Sequence, residues 1–234
     1  MIALAPDVIK RYPRFHDYDS LRISGLEFAR AFGQDREDIR FGVGTCDRTL
    51  TESNFEQIRS LVSEILFYRR ADTPDTRHPF YRLQAERWLE SALLESADAV
   101  FPEITPEAVY SQIPVYLDTD PGRVDLLAVD RSGTLVIVEV KVREDPDLPL
   151  QAIDYWGRVH THNRSGDFRR RGYFPGLAIR SCPPKVYLVS PVFSFHDTTE
   201  YFMRFVRRDS ALWKIGVNQD WRSGVKVIRR LRLL

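Results

Sequence analysis

The stretch that decides the fold runs from Val124 to Val142 and reads VDLLAVDRSGTLVIVEVKV. It holds two aliphatic runs around Arg131-Ser132-Gly133, a typical turn sequence, and so predicts a β-hairpin with strands at 123–130 and 134–142. Three charged residues interrupt the aliphatic runs, namely Asp125, Glu139 and Lys141. Because an unpaired charge in an apolar setting costs several kcal/mol, these groups should be paired, bound to metal or placed at the edge of a cleft.

The length of the turn decides which of these side chains meet. Side chains alternate along a strand, so Glu139 and Lys141 share one face. If the loop has three residues, with Gly133 in the left-handed position, the numbers of opposed residues sum to 264 and Asp125 lies opposite Glu139. Opposed residues have Cβ atoms about 5 Å apart. The spacing then predicts two converging carboxylates with an ammonium nearby, whereas a two-residue loop would break this alignment.

Converging carboxylates repel each other, and a divalent cation removes the repulsion while both stay ionised. Mg²⁺ fits best because it prefers oxygen ligands and keeps several waters, with Mn²⁺ as a substitute. Asp125, Glu139 and the carbonyl of Val140 would hold it, leaving positions open for a phosphate oxygen and a water. Lys141 could hold that water or stabilise the charge that builds on phosphorus. These groups suit phosphodiester hydrolysis.

In order and spacing these residues resemble the restriction-endonuclease-like, or PD-(D/E)xK, nuclease superfamily, whose pattern is an Asp on one strand and Glu-x-Lys on the next. The match covers about residues 81–160, and Val124 stands where the family name has proline. Upstream, Gln84-Ala85-Glu86-Arg87 looks like the helix that carries the first acidic residue in Holliday-junction resolvases and NucS-type endonucleases. The resemblance therefore implies Glu86 as a further catalytic metal ligand, with Glu90 as the alternative.

Downstream of the hairpin, Gln151 and Tyr155 are similar to the Gln-x-x-x-Tyr motif of RecB-type members of the superfamily. Their i, i+4 spacing places both polar tips on one helix face. There they could orient the lysine or a DNA phosphate, as supporting residues.

The chain as a whole mixes strand and helix patterns, which predicts an α/β domain with a mixed central sheet flanked by helices. A stretch near residues 72–79 is rich in residues that interrupt helices and strands, and it is the best linker candidate. We expect a small N-terminal α+β region at 1–78, with a strand-like segment at Leu21–Phe32, for accessory or dimerisation roles. The nuclease-like domain would occupy residues 79–234.

Charge is divided unevenly along the chain. Residues 1–155 hold 18 Lys and Arg against 28 Asp and Glu, a balance of −10, while residues 156–234 hold 16 against 5, a balance of +11. The basic part suggests a polyanionic partner, although opposite charges within one fold would give the same totals. Arg169, Arg170 and Arg171, between Phe168 and Tyr173, either contact a nucleic-acid backbone and stack on an unpaired base or form an ordinary solvated loop.

Composition excludes several classes of protein. With 43% hydrophobic and 29% charged residues the chain is globular, and no apolar run reaches the roughly 18 residues that a membrane span needs. Without a recognisable secretory signal, we expect a cytoplasmic protein with no membrane partner. The two cysteines, Cys46 and Cys182, cannot build a disulfide framework and are expected to be reduced packing residues.

The first functional hypothesis is a Mg²⁺-dependent nuclease acting on DNA, with endonucleolytic cleavage favoured, and the resemblance implies repair, recombination or defence. A second keeps the fold but is a non-catalytic nucleic-acid-binding module. A third is a protein-interaction component whose N-terminal layer forms a homodimer, and dimerisation is compatible with all three. The simplest structural alternative for Asp125, Glu139 and Lys141 is a cross-strand ion pair that contributes under about 1 kcal/mol.

Overall fold

The chain forms two compact units, Met1–Ser91 and Ala92–Leu234. The computed structural model describes residues 5–14, 18–117, 120–203 and 211–233. The division between the units falls inside a helix, Ala85–Glu95, and the boundary predicted near residue 78 lies earlier in the chain.

The N-terminal unit contains a five-stranded antiparallel sheet in which the strands follow chain order. The strands are β1 Ile9–Arg14, β2 Tyr18–Ile23, β3 Leu26–Phe32, β4 Asp38–Phe41 and β5 Arg48–Thr49. The helices are α1 Phe55–Tyr68, α2 Pro79–Arg82 and α3 Ala85–Glu95, of which α3 continues into the second unit.

The segment predicted as strand-like from Leu21 to Phe32 is two strands joined by a tight turn. Ser24 and Gly25 both have positive φ angles, 44° and 78°, as the tightest β-hairpin turns require. The apolar face of α1 packs on the sheet, because Ile58, Val62 and Ile65 recur at helical spacing. This packing forms the core of the N-terminal unit.

The second unit contains a six-stranded mixed sheet in the order β11-β10-β9-β8-β7-β6. Its strands are β6 Ile104–Leu117, β7 Asp120–Asp130, β8 Leu135–Val140, β9 Lys185–Pro191, β10 Leu212–Val217 and β11 Val227–Arg232. Its helices are α4 Ala97–Val100, α5 Leu148–Arg164, α6 Asp167–Arg170 and α7 Thr198–Met203. Strands β8, β9 and β10 are parallel neighbours, and the other pairs are antiparallel.

Strand β8 lies inside this sheet, and all six of its residues are buried. An aliphatic run such as Leu135–Val138 is typical of a strand that is covered on both faces. Helix α5 packs against β6, β7, β8 and β9. The predicted class is therefore confirmed: a mixed α/β sheet flanked by helices, consistent with a restriction-endonuclease-like core, accompanied by a small N-terminal α+β unit.

Two smaller expectations concern the membrane and the cysteines. Within the described parts of the chain, no helix combines the length and the apolar character needed to cross a bilayer. Cys46 and Cys182 are both free thiols, Cys46 buried and Cys182 partly exposed. Burial raises the pKa of Cys46 to about 11, so this thiol stays protonated and unreactive at neutral pH.

Candidate nuclease site

The hairpin formed by β7 and β8 has the predicted three-residue loop. The Asp130 N–H donates to the Thr134 carbonyl at 2.9 Å, and Gly133 has a φ of +83°. Leu126 pairs with Val138 and Val129 with Leu135, so the predicted register is confirmed. This register brings Asp125 and Glu139 to the same level of the sheet.

Gly133 fixes that register, and replacing it with alanine should lower stability. A Cβ at this position would come within 2.4 Å of the Ala178 carbonyl oxygen. The left-handed backbone costs a non-glycine residue about 1–2 kcal/mol, and relieving the clash costs about 1–3 kcal/mol more. Gly176→Ala is the matched control, because Gly176 has a φ of +79° and open space around it. In urea unfolding, Gly133→Ala should lose more free energy than Gly176→Ala, and equal losses would contradict the predicted clash.

The backbone pairing of β7 with β8 ends at Leu126 and Val138. At the next residues, hydrogen bonds to the carboxylates of Asp125 and Glu139 take the place of backbone-to-backbone bonds. The Val140 N–H donates to Oδ2 of Asp125 at 2.9 Å, and the Asp125 N–H donates to Oε1 of Glu139 at 3.4 Å. Each acid therefore accepts a hydrogen bond from a backbone N–H at this level, where the pairing of the two strands has ended. Glu139 is only 1% exposed, and Asp125 is partly exposed. The two carboxylates thus lie together where the backbone pairing of β7 with β8 is missing, and we call this break in the pairing the gap.

Gln112 of β6 is a third member of this group, and no sequence motif marks it. Its Nε2 donates to Oδ1 of Asp125 at 2.9 Å, and Gln112 is 2% exposed. Gln112 has a φ of +60°, which is uncommon for a residue other than glycine. The pairing of Leu117 with Asp120 places Gln112 opposite Asp125. The signal was a polar residue inside the extended segment 109–117, but its partner strand could not be aligned with it from the sequence.

The atoms around the gap are oxygen donors of the kind that Mg²⁺ prefers. The N–H and C=O groups of one strand residue point to the same side, so the Val140 carbonyl faces the gap together with its N–H. Among the described residues, no three Asp, Glu, His or Cys side chains form a group that could hold a metal ion. Mg²⁺ is commonly held by one or two carboxylates and several waters, so two carboxylates and a carbonyl fit this ion.

Lys141 follows β8 directly and pairs with Asp145, an acid that belongs to none of the sequence motifs. Its Nζ lies 3.0 Å from Oδ2 of Asp145, and its N–H donates to the Val189 carbonyl at 3.0 Å. Burial works to raise the pKa of Asp145, but the hydrogen bond from Lys141 and its charge hold that pKa below its ordinary value. Since the backbone of Lys141 continues the pairing with β9, its side chain leaves on the face of Glu139.

The acidic residues predicted from the upstream resemblance lie on α3, in the N-terminal unit. Glu86 is exposed, whereas Glu90 is 2% exposed and lies 3.8 Å from the guanidinium of Arg87. Glu90 therefore already has a cationic neighbour within its own unit. The assignment of Glu86 as a metal ligand stays a prediction.

Gln151 and Tyr155 lie on one face of α5, as their spacing predicts. Nε2 of Gln151 donates to the Tyr155 hydroxyl at 3.1 Å, and Tyr155 is 8% exposed. The Tyr155 ring lies against the backbone of Gly122 in β7, where an added Cβ would come within 2.9 Å of Cε1. The contact attaches the start of β7 to α5, and the predicted role of the pair toward lysine or phosphate stays a prediction.

The three arginines at 169–171 are exposed, around the short helix α6, but the neighbouring aromatic residues are not available for stacking on a base. Phe168 is 5% exposed and Tyr173 9% exposed, and their rings pack edge to face with centroids 5.5 Å apart. Both rings therefore belong to the core, and any stacking on a base would have to come from the arginines themselves. Arg170 also pairs with Asp167. Contact between these arginines and a nucleic-acid backbone stays a prediction.

Comparison with known proteins gives only distant structural likenesses. No protein-family model matches the chain, and no curated protein matches it in sequence. The fold is similar to EndoMS in a complex with dsDNA, at 18% identity and a TM-score of 0.31 over 52% of this chain and 40% of that one. It is also similar to a repair endonuclease from Pyrococcus abyssi, at 17% identity and a TM-score of 0.28 over 48% and 42% of the two chains.

A third similar structure covers nearly the whole chain. SfsA from Pyrococcus furiosus, in complex with Ca²⁺, matches at 15% identity and a TM-score of 0.36 over 95% of this chain and 93% of that one. The chain matches about two fifths of the length of the EndoMS and Pyrococcus abyssi chains. At these values the likenesses assign the chain to no family.

Proposed function

We propose that the protein is a Mg²⁺-dependent endonuclease that hydrolyses phosphodiester bonds in DNA. The observation that carries this proposal is the gap at the carboxyl end of β8, level with Asp125 in the middle of β7, where Asp125 and Glu139 accept backbone N–H groups in place of the ladder. Placing two carboxylates together in a largely buried sheet is unfavourable unless a cation or other donors compensate the charge. A metal site gives this arrangement a physical reason.

Asp125, Glu139 and the Val140 carbonyl would hold the ion. When bound, Mg²⁺ supplies Lewis-acid polarisation of a phosphate oxygen and a more acidic water. Gln112 fixes the Asp125 carboxylate through its amide, so that one oxygen is oriented before any ion binds. This is a positioning role, because Gln112 contacts the acid and not the reacting atoms.

Lys141 would stabilise the negative charge that develops on the phosphate or hold the attacking water. Asp145 keeps the ammonium at the end of β8, at an N–O distance of 3.0 Å. The ammonium group of lysine has three N–H donors, so it can bond to Asp145 and still donate to a phosphate oxygen or a water. Asp145 is thus proposed as the residue that positions Lys141.

The DNA backbone would be attracted by the basic part of the chain, residues 156–234, with its balance of +11. Arg169, Arg170 and Arg171 are exposed, and a phosphate would compete with Asp167 for Arg170. Such contacts depend steeply on salt, since each neutralised phosphate releases counterions.

A second candidate is a nucleic-acid-binding module without cleavage. The observation that favours it is that, in the described parts of the chain, no three metal-ligating side chains come together. This candidate predicts salt-dependent DNA binding that is indifferent to divalent cations.

The test is cleavage of supercoiled plasmid, a substrate without ends. We expect the purified protein to nick or linearise the plasmid with Mg²⁺ or Mn²⁺ and to stop when EDTA is added. Internal cleavage of a closed circle identifies an endonuclease. If the protein binds DNA in a salt-dependent manner but leaves plasmid, linear and branched DNA intact with either metal, the non-catalytic candidate replaces this proposal.

A further inference from the structure

The turn that follows β9 presents an aromatic ring to solvent. It comprises residues Pro191 to Ser194, and Phe193 at its tip is 80% exposed. The Ser194 N–H donates to the Pro191 carbonyl at 2.8 Å, and the Ser190 hydroxyl donates to the Ser194 carbonyl at 3.2 Å. The backbone beneath the ring is therefore held by hydrogen bonds within the turn.

The neighbouring strand β10 holds the same turn from the side. The Val192 N–H donates to the Val217 carbonyl at 2.8 Å. Gly216 allows this approach, because a Cβ there would lie 3.1–3.3 Å from atoms of Val192. The turn is thus attached to two strands, and the exposed ring of Phe193 is carried by a fixed support.

Strand register places this turn at the edge of the sheet where the carboxylates lie. Strands β8, β9 and β10 are parallel, so their carboxyl ends share one edge, and Val140 is paired with Val189. Pro191 is two residues beyond Val189, which corresponds to about 7 Å along the strand. Ligands of open α/β sheets bind outside the carboxyl ends of the strands.

We propose that Phe193 stacks on an unpaired base of the DNA strand whose phosphates lie at the Asp125–Glu139 gap. This inference rests on the nuclease function proposed above and adds the form of the substrate: a single-stranded segment, flap or other site with an accessible base. A phenyl ring has no hydrogen-bonding group, so it binds the face of any base without reading its identity. Phe193 would therefore position the strand, and cleavage would follow DNA structure rather than sequence.

The test compares two oligomers of equal length and charge, oligodeoxythymidine and an abasic tetrahydrofuran phosphate oligomer, in EDTA to prevent cleavage. Base stacking on an aromatic side chain is worth about 1–3 kcal/mol, so Phe193→Ala should weaken binding to the thymidine oligomer about 5- to 150-fold. It should leave binding to the abasic oligomer unchanged. Phe193→Trp should bind like the wild type, whereas Phe193→Leu should bind like the alanine variant.

Leu177→Ala is the matched control, because Leu177 is also an exposed apolar residue, at 40%. It lies far from the gap along the sheet: the N–H of nearby Arg180 donates to the Gly133 carbonyl, just before the amino end of β8. This variant should bind both oligomers like the wild type. Unchanged binding by Phe193→Ala, equal loss on both oligomers, or full binding by Phe193→Leu would overturn the stacking proposal and leave the nuclease proposal standing. Failure of the wild type to bind either oligomer or cleave any DNA would overturn both.

Discussion

Replacing Lys141 with alanine is expected to lower the rate of plasmid cleavage by about 10²–10³-fold, the usual cost of removing one group that stabilises charge in the transition state. The fold should survive, because Lys141 pairs with an acid that is 29% exposed at its side chain. Such a pair contributes under about 1 kcal/mol. Initial rates of nicking, measured at saturating Mg²⁺ with circular dichroism as a check of folding, test this expectation.

Lys214→Ala is the matched control for this experiment. Lys214 pairs with Glu200 at 2.9 Å, and its side chain is 18% exposed against 20% for Lys141. The two variants therefore remove similar ion pairs from the same unit. Lys214→Ala should cleave at nearly the wild-type rate. Equal rates for wild type and a folded Lys141→Ala variant would remove Lys141 from the proposed mechanism.

Replacing Glu139 with glutamine is expected to abolish the stabilisation of the protein by divalent cations. An ion at 100 times its dissociation constant adds about 2.7 kcal/mol to the free energy of unfolding. For a chain of this size that corresponds to a rise in Tm of roughly 5–10 °C. The wild type should show this rise with Mg²⁺ or Mn²⁺ and the Glu139→Gln variant should not. Thermal unfolding followed by calorimetry measures both.

Without metal, the same variant should be as stable as the wild type or more so, because glutamine removes one of two neighbouring negative charges. Glu103→Gln is the control, since Glu103 hydrogen-bonds to Tyr187 and Arg230. It should lose some stability and keep the metal-dependent rise in Tm. A Glu139→Gln variant that still rises by the wild-type amount would show that the ion binds elsewhere.

The positions of Asp125 and Glu139 were predictable because they depend only on the hairpin turn and on the alternation of side chains along each strand. A glycine that adopts the left-handed conformation fixes the hairpin loop, and the period of two along each strand then brings Asp125 to the level of Glu139. The i, i+4 spacing likewise predicts the contact between Gln151 and Tyr155. These features need no knowledge of distant parts of the chain.

The parts that the sequence did not reveal depend on tertiary context. Gln112 reaches Asp125 only because β6 pairs with β7 in a register that no local sequence pattern specifies. Phe168 and Tyr173 look like exposed rings beside arginines, yet both are buried, because packing overrides the polar neighbourhood. Asp145 contacts Lys141 through the path of the loop after β8, which no periodicity specifies.

The central claim is that a divalent cation binds between the carboxylates of Asp125 and Glu139. A crystal grown with Mn²⁺ and measured near the manganese absorption edge tests it directly. We expect an anomalous difference peak within coordinating distance of both carboxylates in the wild type, and no peak there in the Glu139→Gln variant. Absence of a peak between these residues at saturating Mn²⁺, or a peak at another position only, would contradict the account.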